Sequence, residues 1–137
     1  MLGGKGVISI HIEDLLLARW REPRIEGVGT RWTKNLTLIL TELRRRFEAL
    51  YGERLIQMIL FGSQARGDAE PGSDIDVLVV LKDPVRAGEE VDRTIDLVAD
   101  LSLEYDEVIS CVFVGEDRFK HRHGPLLRNV RREGIRI

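Results

Sequence analysis

Three short apolar runs, separated by stretches that repeat apolar residues at helical spacing, predict an α/β (α+β) domain built on one sheet. Positions 56–61, 75–81 and 108–114 are nearly continuous apolar runs rich in Ile and Val, bounded by glycine or proline turns. Each therefore reads as a strand buried on both sides. Positions 31–51 and 89–105 carry apolar residues every three or four places, the pattern of a helix with one buried stripe. Helices alternating with strands must lay that stripe against the sheet. With 137 residues, 43% of them hydrophobic, the chain suits one core and has no room for a second full-sized domain.

Residues 1–30 form an N-terminal extension with a glycine-rich opening, an apolar piece at 7–12, a stretch at 13–21 that can be helical, and a loop containing Pro23, Gly27 and Gly29. Leu15, Leu16, Leu17 and Trp20 give it an apolar face that the chain must cover or a partner must bind. An upstream extension left by a misplaced start site, without a function, is an equal alternative. His11 carries no signal. Residues 31–137 are the domain proper. Its first helix has a stripe of Leu36, Ile39, Leu40, Leu43, Phe47 and Leu50, ends at Gly52, and leaves Arg44, Arg45 and Arg46 on a solvated face.

The strand at 56–61 stops at Gly62-Ser63, and the strand at 75–81 is entered through Pro71-Gly72-Ser73. Lys82-Asp83-Pro84 then turns the chain into the helix at 89–105, whose expected buried side is Val91, Ile95, Val98, Leu101 and Tyr105. Residues 83–107 hold nine Asp or Glu against two Arg, which reads as a solvated acidic face. The strand at 108–114 contains Cys111, the single cysteine. One cysteine rules out an internal disulfide, and its apolar surroundings mark a core thiol, not a nucleophile.

Residues 118–137 reverse the balance, with six Arg and one Lys against Glu133 alone. No aromatic ladder accompanies them, so contact within the chain or with a protein partner is expected before nucleic-acid binding. His121 and His123 have no third ligand nearby and read as an exposed pair. Overall charge, 21 basic against 23 acidic residues, gives no general attraction to nucleic acid or an anionic membrane. No run is long enough to span a bilayer and no signal segment opens the chain, so a cytoplasmic location is the default expectation.

The chemistry is concentrated between the first two strands. Side chains alternate along a strand, so Asp74 and Asp76 should leave one face while Ile75 and Val77 enter the core. Magnesium takes a few carboxylate oxygens and keeps positions open for phosphate, so such a pair beside a phosphate-binding turn suits metal-assisted phosphoryl chemistry. Gly62-Ser63 is the candidate turn: glycine permits close backbone approach, serine offers a hydroxyl, and a helix starting there aims its first amides at an anion. Gly62 to Gly67 has P-loop spacing, but Asp68 stands where that motif needs Lys, and no Gly-x-Gly-x-x-Gly follows a strand.

Gly62-Ser63-Gln64-Ala65-Arg66-Gly67, followed by Ser73-Asp74-Ile75-Asp76 and an apolar strand, resembles the signature of the minimal nucleotidyltransferases of the DNA polymerase beta superfamily. Leu127-Arg128-Asn129-Val130-Arg131-Arg132-Glu133-Gly134-Ile135 resembles the tail of many such proteins, so the likeness covers about residues 32 to 137. The resemblance implies a polymerase beta-like mixed sheet with helices packed on one face. It also implies Gly62 and Ser63 on the triphosphate, Asp74 and Asp76 on Mg2+, and Arg66 near the leaving pyrophosphate. The implied reaction transfers a nucleoside monophosphate, with ATP the expected donor, to a hydroxyl of a partner. The family is often paired with a small helical HEPN protein in a toxin-antitoxin system, the nucleotidyltransferase being the antitoxin. A homo-oligomer is compatible with the sequence. Active relatives usually add a third carboxylate on the neighbouring strand, and here that strand offers only Ser110, with Glu107 just before it as the candidate catalytic substitute. The alternative function is a weak or inactive nucleotide-binding or interaction protein that acts by masking its partner.

Overall fold

Thr33 opens the first helix, α1 (Lys34–Tyr51), by accepting a hydrogen bond from the Leu36 amide at 3.0 Å. This satisfies one of the amides that a helix start leaves without an intrahelical partner. The computed structural model describes residues 33–137; the expectations for residues 1–30, including the Leu15, Leu16, Leu17 and Trp20 face and His11, lie outside the described residues. Gly52 takes φ +54 and ends α1. A single 3₁₀ turn, Gly52–Arg54, then leads into β1 (Leu55–Phe61). One turn of helix, α2 (Ser63–Arg66), and a loop follow before β2 (Ile75–Leu81), α3 (Ala87–Tyr105) and β3 (Ile109–Gly115).

β2 is the centre of the sheet and six of its seven residues are buried. It pairs antiparallel with β1, Phe61 opposite Asp76, and parallel with β3, Ile75 opposite Ile109. A parallel neighbour requires a crossover, and α3 supplies it. Residues 116–137 form two short helices, α4 (Glu116–His121) and α5 (Pro125–Glu133), and a two-residue strand, β4 (Ile135–Arg136). β4 pairs antiparallel with β1, giving a mixed four-stranded sheet of order β3-β2-β1-β4.

The alternation of β2 divides the interior in two. Ile75, Val77, Val79 and Leu81 face α1 and α3 together with Met58, Leu60 and Phe113. Leu78 and Val80 face the other way, onto Phe119 of α4 and Leu127 and Val130 of α5. The two long helices thus share one face, as expected, and the short ones add a smaller second layer. Asp83, in the β2–α3 turn, accepts the Asp117 amide at 2.9 Å and so caps α4 from a distance.

Two helical stripes differ from expectation. Tyr51, not Leu50, completes the buried face of α1, because its hydroxyl donates to the Glu90 carboxylate at 2.7 Å; Leu50 is 43% exposed. On α3 the buried positions are Glu90, Thr94 and Leu101, while Val91 and Ile95 are partly out, Ile95 at 55% exposure. Glu90, 2% exposed, is held by Arg54 and Arg93 at 3.1 Å each as well as by Tyr51. Burial pushes its carboxyl up, but these donors outweigh burial and leave it below the ordinary range. Satisfying one buried anion has rotated the helix away from its most apolar side.

The charged stretches resolve into local pairs. Arg44 pairs with Glu48, and Arg45 and Arg46 with Glu42, as a solvated helix face does. Arg131 of the basic tail donates to the carbonyls of Phe119 and Arg122, tying α5 to α4, and lies over the Phe119 ring. Cys111 packs against the main core, where burial pushes its thiol up to about 12, out of reach of neutral-pH nucleophilic chemistry. No helix among the described residues is long and apolar enough to cross a membrane.

Candidate active site

The site begins where β1 ends. Gly62 has φ +78 and ψ −160, a backbone region open almost only to glycine. A Cβ at Gly62 would lie 2.6 Å from Asp76 Oδ2. Glycine is therefore required twice, for the turn and for the carboxylate that rests against it. Ala65 and Arg66 donate their amides to the Gly62 carbonyl, and Gly67 to the Ser63 carbonyl, closing the one turn of α2. Four residues add up to little macrodipole, so any attraction for anions here comes from the first amides and the Ser63 hydroxyl.

Asp76 is the second residue of β2 and belongs to the face of Leu78 and Val80, opposite Ile75 and Val77. Asp74 stands just before the strand, which starts where the Ile75 amide donates to the Val108 carbonyl at 2.8 Å. The two carboxylates are near enough to interact. Burial first, and the charge of Asp74 second, hold the Asp76 carboxyl above its ordinary range. Neither Asp74 nor Asp76 has a hydrogen bond or ion pair with any described residue. A pair of this kind, Asp74 exposed and Asp76 partly buried, without a partner among the described residues, fits a divalent cation, since magnesium is held by one or two carboxylates plus phosphate oxygens.

The parallel register places Ser110 beside Asp76 on the same face. The position of an expected third carboxylate thus holds a hydroxyl. Glu107 lies elsewhere: it lines a cleft of about 250 Å³ with Thr33, Leu36, Ile39 and Ile75, on the long-helix side of the sheet. Among the described residues no three Asp, Glu, His or Cys side chains come together as a metal-binding group. The expectation that Glu107 reaches back to the pair is not met by this geometry, because β3 starts with its side chains alternating the wrong way for a residue at that place.

Arg66 and Glu133 complete the turn. Arg66 Nε donates to Asp68 at 3.1 Å, and its Nη1 is 3.1 Å from each oxygen of Glu133. Glu133 Oε2 also accepts the Gly62 amide at 2.9 Å. The Gly62 amide, expected on phosphate, is therefore engaged by a side chain from α5. Glu133 was not among the residues singled out from sequence; the available signal was its isolation, one carboxylate in a basic tail.

Next to Asp76 and Ser110, on the same sheet face, opens a groove of about 670 Å³ floored by Leu78 and Val112 and walled by Arg118, Arg122, His123 and Leu127. Its volume is that of an ordinary small-molecule site. A mixed sheet bearing a glycine-serine turn, an uncompensated carboxylate pair and an adjoining groove defines a nucleotidyl-transfer type of domain.

The chain belongs to the nucleotidyltransferase domain family, which matches residues 40–126. It is 35% identical over 96 residues to a protein of Methanocaldococcus jannaschii named "Putative protein adenylyltransferase", covering 69% of this chain and 90% of that one. A second protein of that organism with the same designation is 36% identical over 72 residues, 53% of this chain and 72% of the other. Among solved structures, a toxin-antitoxin crystal structure with AMP-PNP superposes with a TM-score of 0.52 at 20% identity, covering 76% of this chain and 72% of its own. At that identity the likeness speaks for the fold.

Proposed function

We propose that this chain binds a magnesium-nucleoside triphosphate, with ATP the first donor to test, and transfers the nucleoside monophosphate to a hydroxyl of a partner protein. The observation that carries the reading is the Asp74/Asp76 pair set against the Gly62-Ser63 turn, with no ion pair to a cation among the described residues. Asp74 and Asp76 would hold the magnesium, which supplies charge stabilisation for the attacking and leaving oxygens. The Ser63 hydroxyl and the amides of Ser63 and Gln64 hold the terminal phosphates, and Arg66 offsets charge on the departing pyrophosphate. The acceptor oxygen bonds to the α-phosphorus, the bond to the bridging oxygen breaks, pyrophosphate leaves, and the hydroxyl proton passes to a base. The groove beside Asp76 gives nucleotide and acceptor room to meet in line.

Among the described residues, no carboxylate base stands beside the pair. A serine hydroxyl at Ser110 is a far weaker base and ligand than a carboxylate. Transfer by the isolated chain is therefore slow, and a second reading, a nucleotide-binding protein that masks its partner, draws on the same observation. A partner of HEPN type, making this chain an antitoxin, is supported by the protein adenylyltransferase naming of the relatives and the toxin-antitoxin nature of the solved structure. Room for a partner exists along α3, where Val91, Ile95 and Val98 border an apolar groove of about 240 Å³ at the edge strand β3.

Calorimetry of magnesium-ATP against the wild type, Asp74→Ala and Asp76→Ala tests the binding step, with loss of binding expected in both variants. Equal affinity in all three rejects the assignment. Labelled ATP with the protein encoded next to this one tests transfer, and Glu107→Gln should leave magnesium-ATP affinity within about twofold of wild type, since its side chain faces the other cleft.

A further inference from the structure

We propose that Glu133 is a positioning residue of the nucleotide site: its carboxylate fixes the Gly62–Arg66 turn as a permanent part of the site, not as an anion that the triphosphate displaces. The inference rests on the functional reading above and extends the site to the C-terminal helix.

The register explains how Glu133 arrives there. Leu60 pairs with Ile135 across β1 and β4, and antiparallel strands move in opposite directions from a pair. Two steps beyond Leu60 is Gly62, and two steps before Ile135 is Glu133. The ladder therefore brings the carboxylate opposite the turn, where Oε2 accepts the Gly62 amide at 2.9 Å and both oxygens meet Arg66 Nη1 at 3.1 Å. The Glu133 side chain is only 12% exposed. Charge-assisted contacts in such a partly enclosed place are stronger and more directional than surface pairs.

A displaceable anion needs a mobile carrier, and the carrier here is held on both sides. Val130, one turn earlier, and Ile135, two residues later, are fully buried. Gly134 between them lies so close to its surroundings that a Cβ would be 2.4 Å from the Val130 carbonyl and 2.6 Å from the Ile59 side chain. The Ile137 amide donates to the Met58 carbonyl at 3.1 Å. Withdrawing Glu133 would strip β4 from β1. The carboxylate thus stays, the Gly62 amide remains bonded to it when nucleotide binds, and the phosphates are left to the Ser63 hydroxyl and the Ser63 and Gln64 amides. Arg66, gripped by Asp68 on one edge and Glu133 on another, is aimed before the ligand arrives.

The test uses the full chain with Glu133→Ala and Glu133→Gln, in three measurements: thermal unfolding, hydrogen exchange of the Gly62 amide by NMR without nucleotide, and magnesium-ATP affinity by calorimetry below the unfolding range. Loss of a charge-assisted bond should speed Gly62 exchange and weaken magnesium-ATP binding by roughly tenfold in the alanine variant. Glutamine keeps a neutral acceptor for the amide and should restore affinity to within about threefold of wild type. Tighter binding by Glu133→Ala overturns the proposal, since an occluding anion would then have been removed. Unchanged exchange and affinity in a folded Glu133→Ala also overturn it. If the wild type binds no magnesium-ATP, the functional reading fails, and Gly62 exchange alone then decides whether Glu133 holds the turn.

Discussion

Gly62→Ala tests the centre of the site, because it should damage stability and binding through two separable causes. The backbone at φ +78 and ψ −160 excludes a Cβ at a cost of about 1–3 kcal/mol for a non-glycine residue. For a domain of this size about 1 kcal/mol lowers Tm by about 4 °C, so a fall of roughly 4–12 °C is expected. The new methyl would also sit 2.6 Å from Asp76 Oδ2, and the carboxylate must move away from the turn. Gly72→Ala separates the two effects: Gly72 has φ +86, but nothing lies within 4 Å of its Cβ position, so it carries strain without displacing Asp76. Thermal unfolding followed by magnesium-ATP calorimetry on both variants reads the difference, with both losing Tm and only Gly62→Ala losing most of its affinity. A folded Gly62→Ala that binds magnesium-ATP as tightly as wild type would refute the placement of Asp76 at the nucleotide site.

Asp76→Asn should abolish magnesium-dependent binding while raising Tm by roughly 1–3 °C near neutral pH. The sign follows from the raised carboxyl: the fold disfavours the ionised form, so wild-type stability falls as pH rises through the folded pKa, and asparagine removes that loss. Urea titrations in acid and at neutral pH check it, the advantage of the variant being larger at neutral pH. Glu90→Ala should cost about 3 kcal/mol, because Arg54, Arg93 and the Tyr51 hydroxyl all lose their shared partner. Glu90 has a lowered carboxyl, so its contribution is present above the unfolded pKa and is lost as pH falls through the folded value. The variant should therefore lose less stability than wild type across that acid range, and magnesium-ATP affinity measured on folded protein should not change.

The strands and the turn were legible because their signals are local. Apart from Asp76, Ile75 to Leu81 is apolar, the pattern of a strand buried on both faces, and the structure places it at the centre of the sheet. Gly62, Ser63 and Asp76 lie within a few residues of two strand ends, so the sequence order nearly fixes their proximity. The helix stripes were less secure. Val91 and Ile95 have the right period and the right chemistry, yet α3 turns Glu90 inward, because an anion that can satisfy three donors at once outweighs two methyl-rich side chains at a rim.

By itself, the sequence determined the three long strands and the two long helices, where the carboxylate pair stands, and that β3 offers a serine where a third carboxylate was sought, but not the two short helices and the short strand of residues 116–137. Those follow from the period of side chains and from turn chemistry, which act over a few residues. Only the tertiary structure decided the partners across distance. Glu133 meets Gly62 from 71 positions away through the register of β4 on β1, and Glu107 is carried to the long-helix face by where β3 begins. Strand register is set by how whole faces pack, and a pairing of two residues at the very end of the chain leaves no periodic trace for a sequence to display.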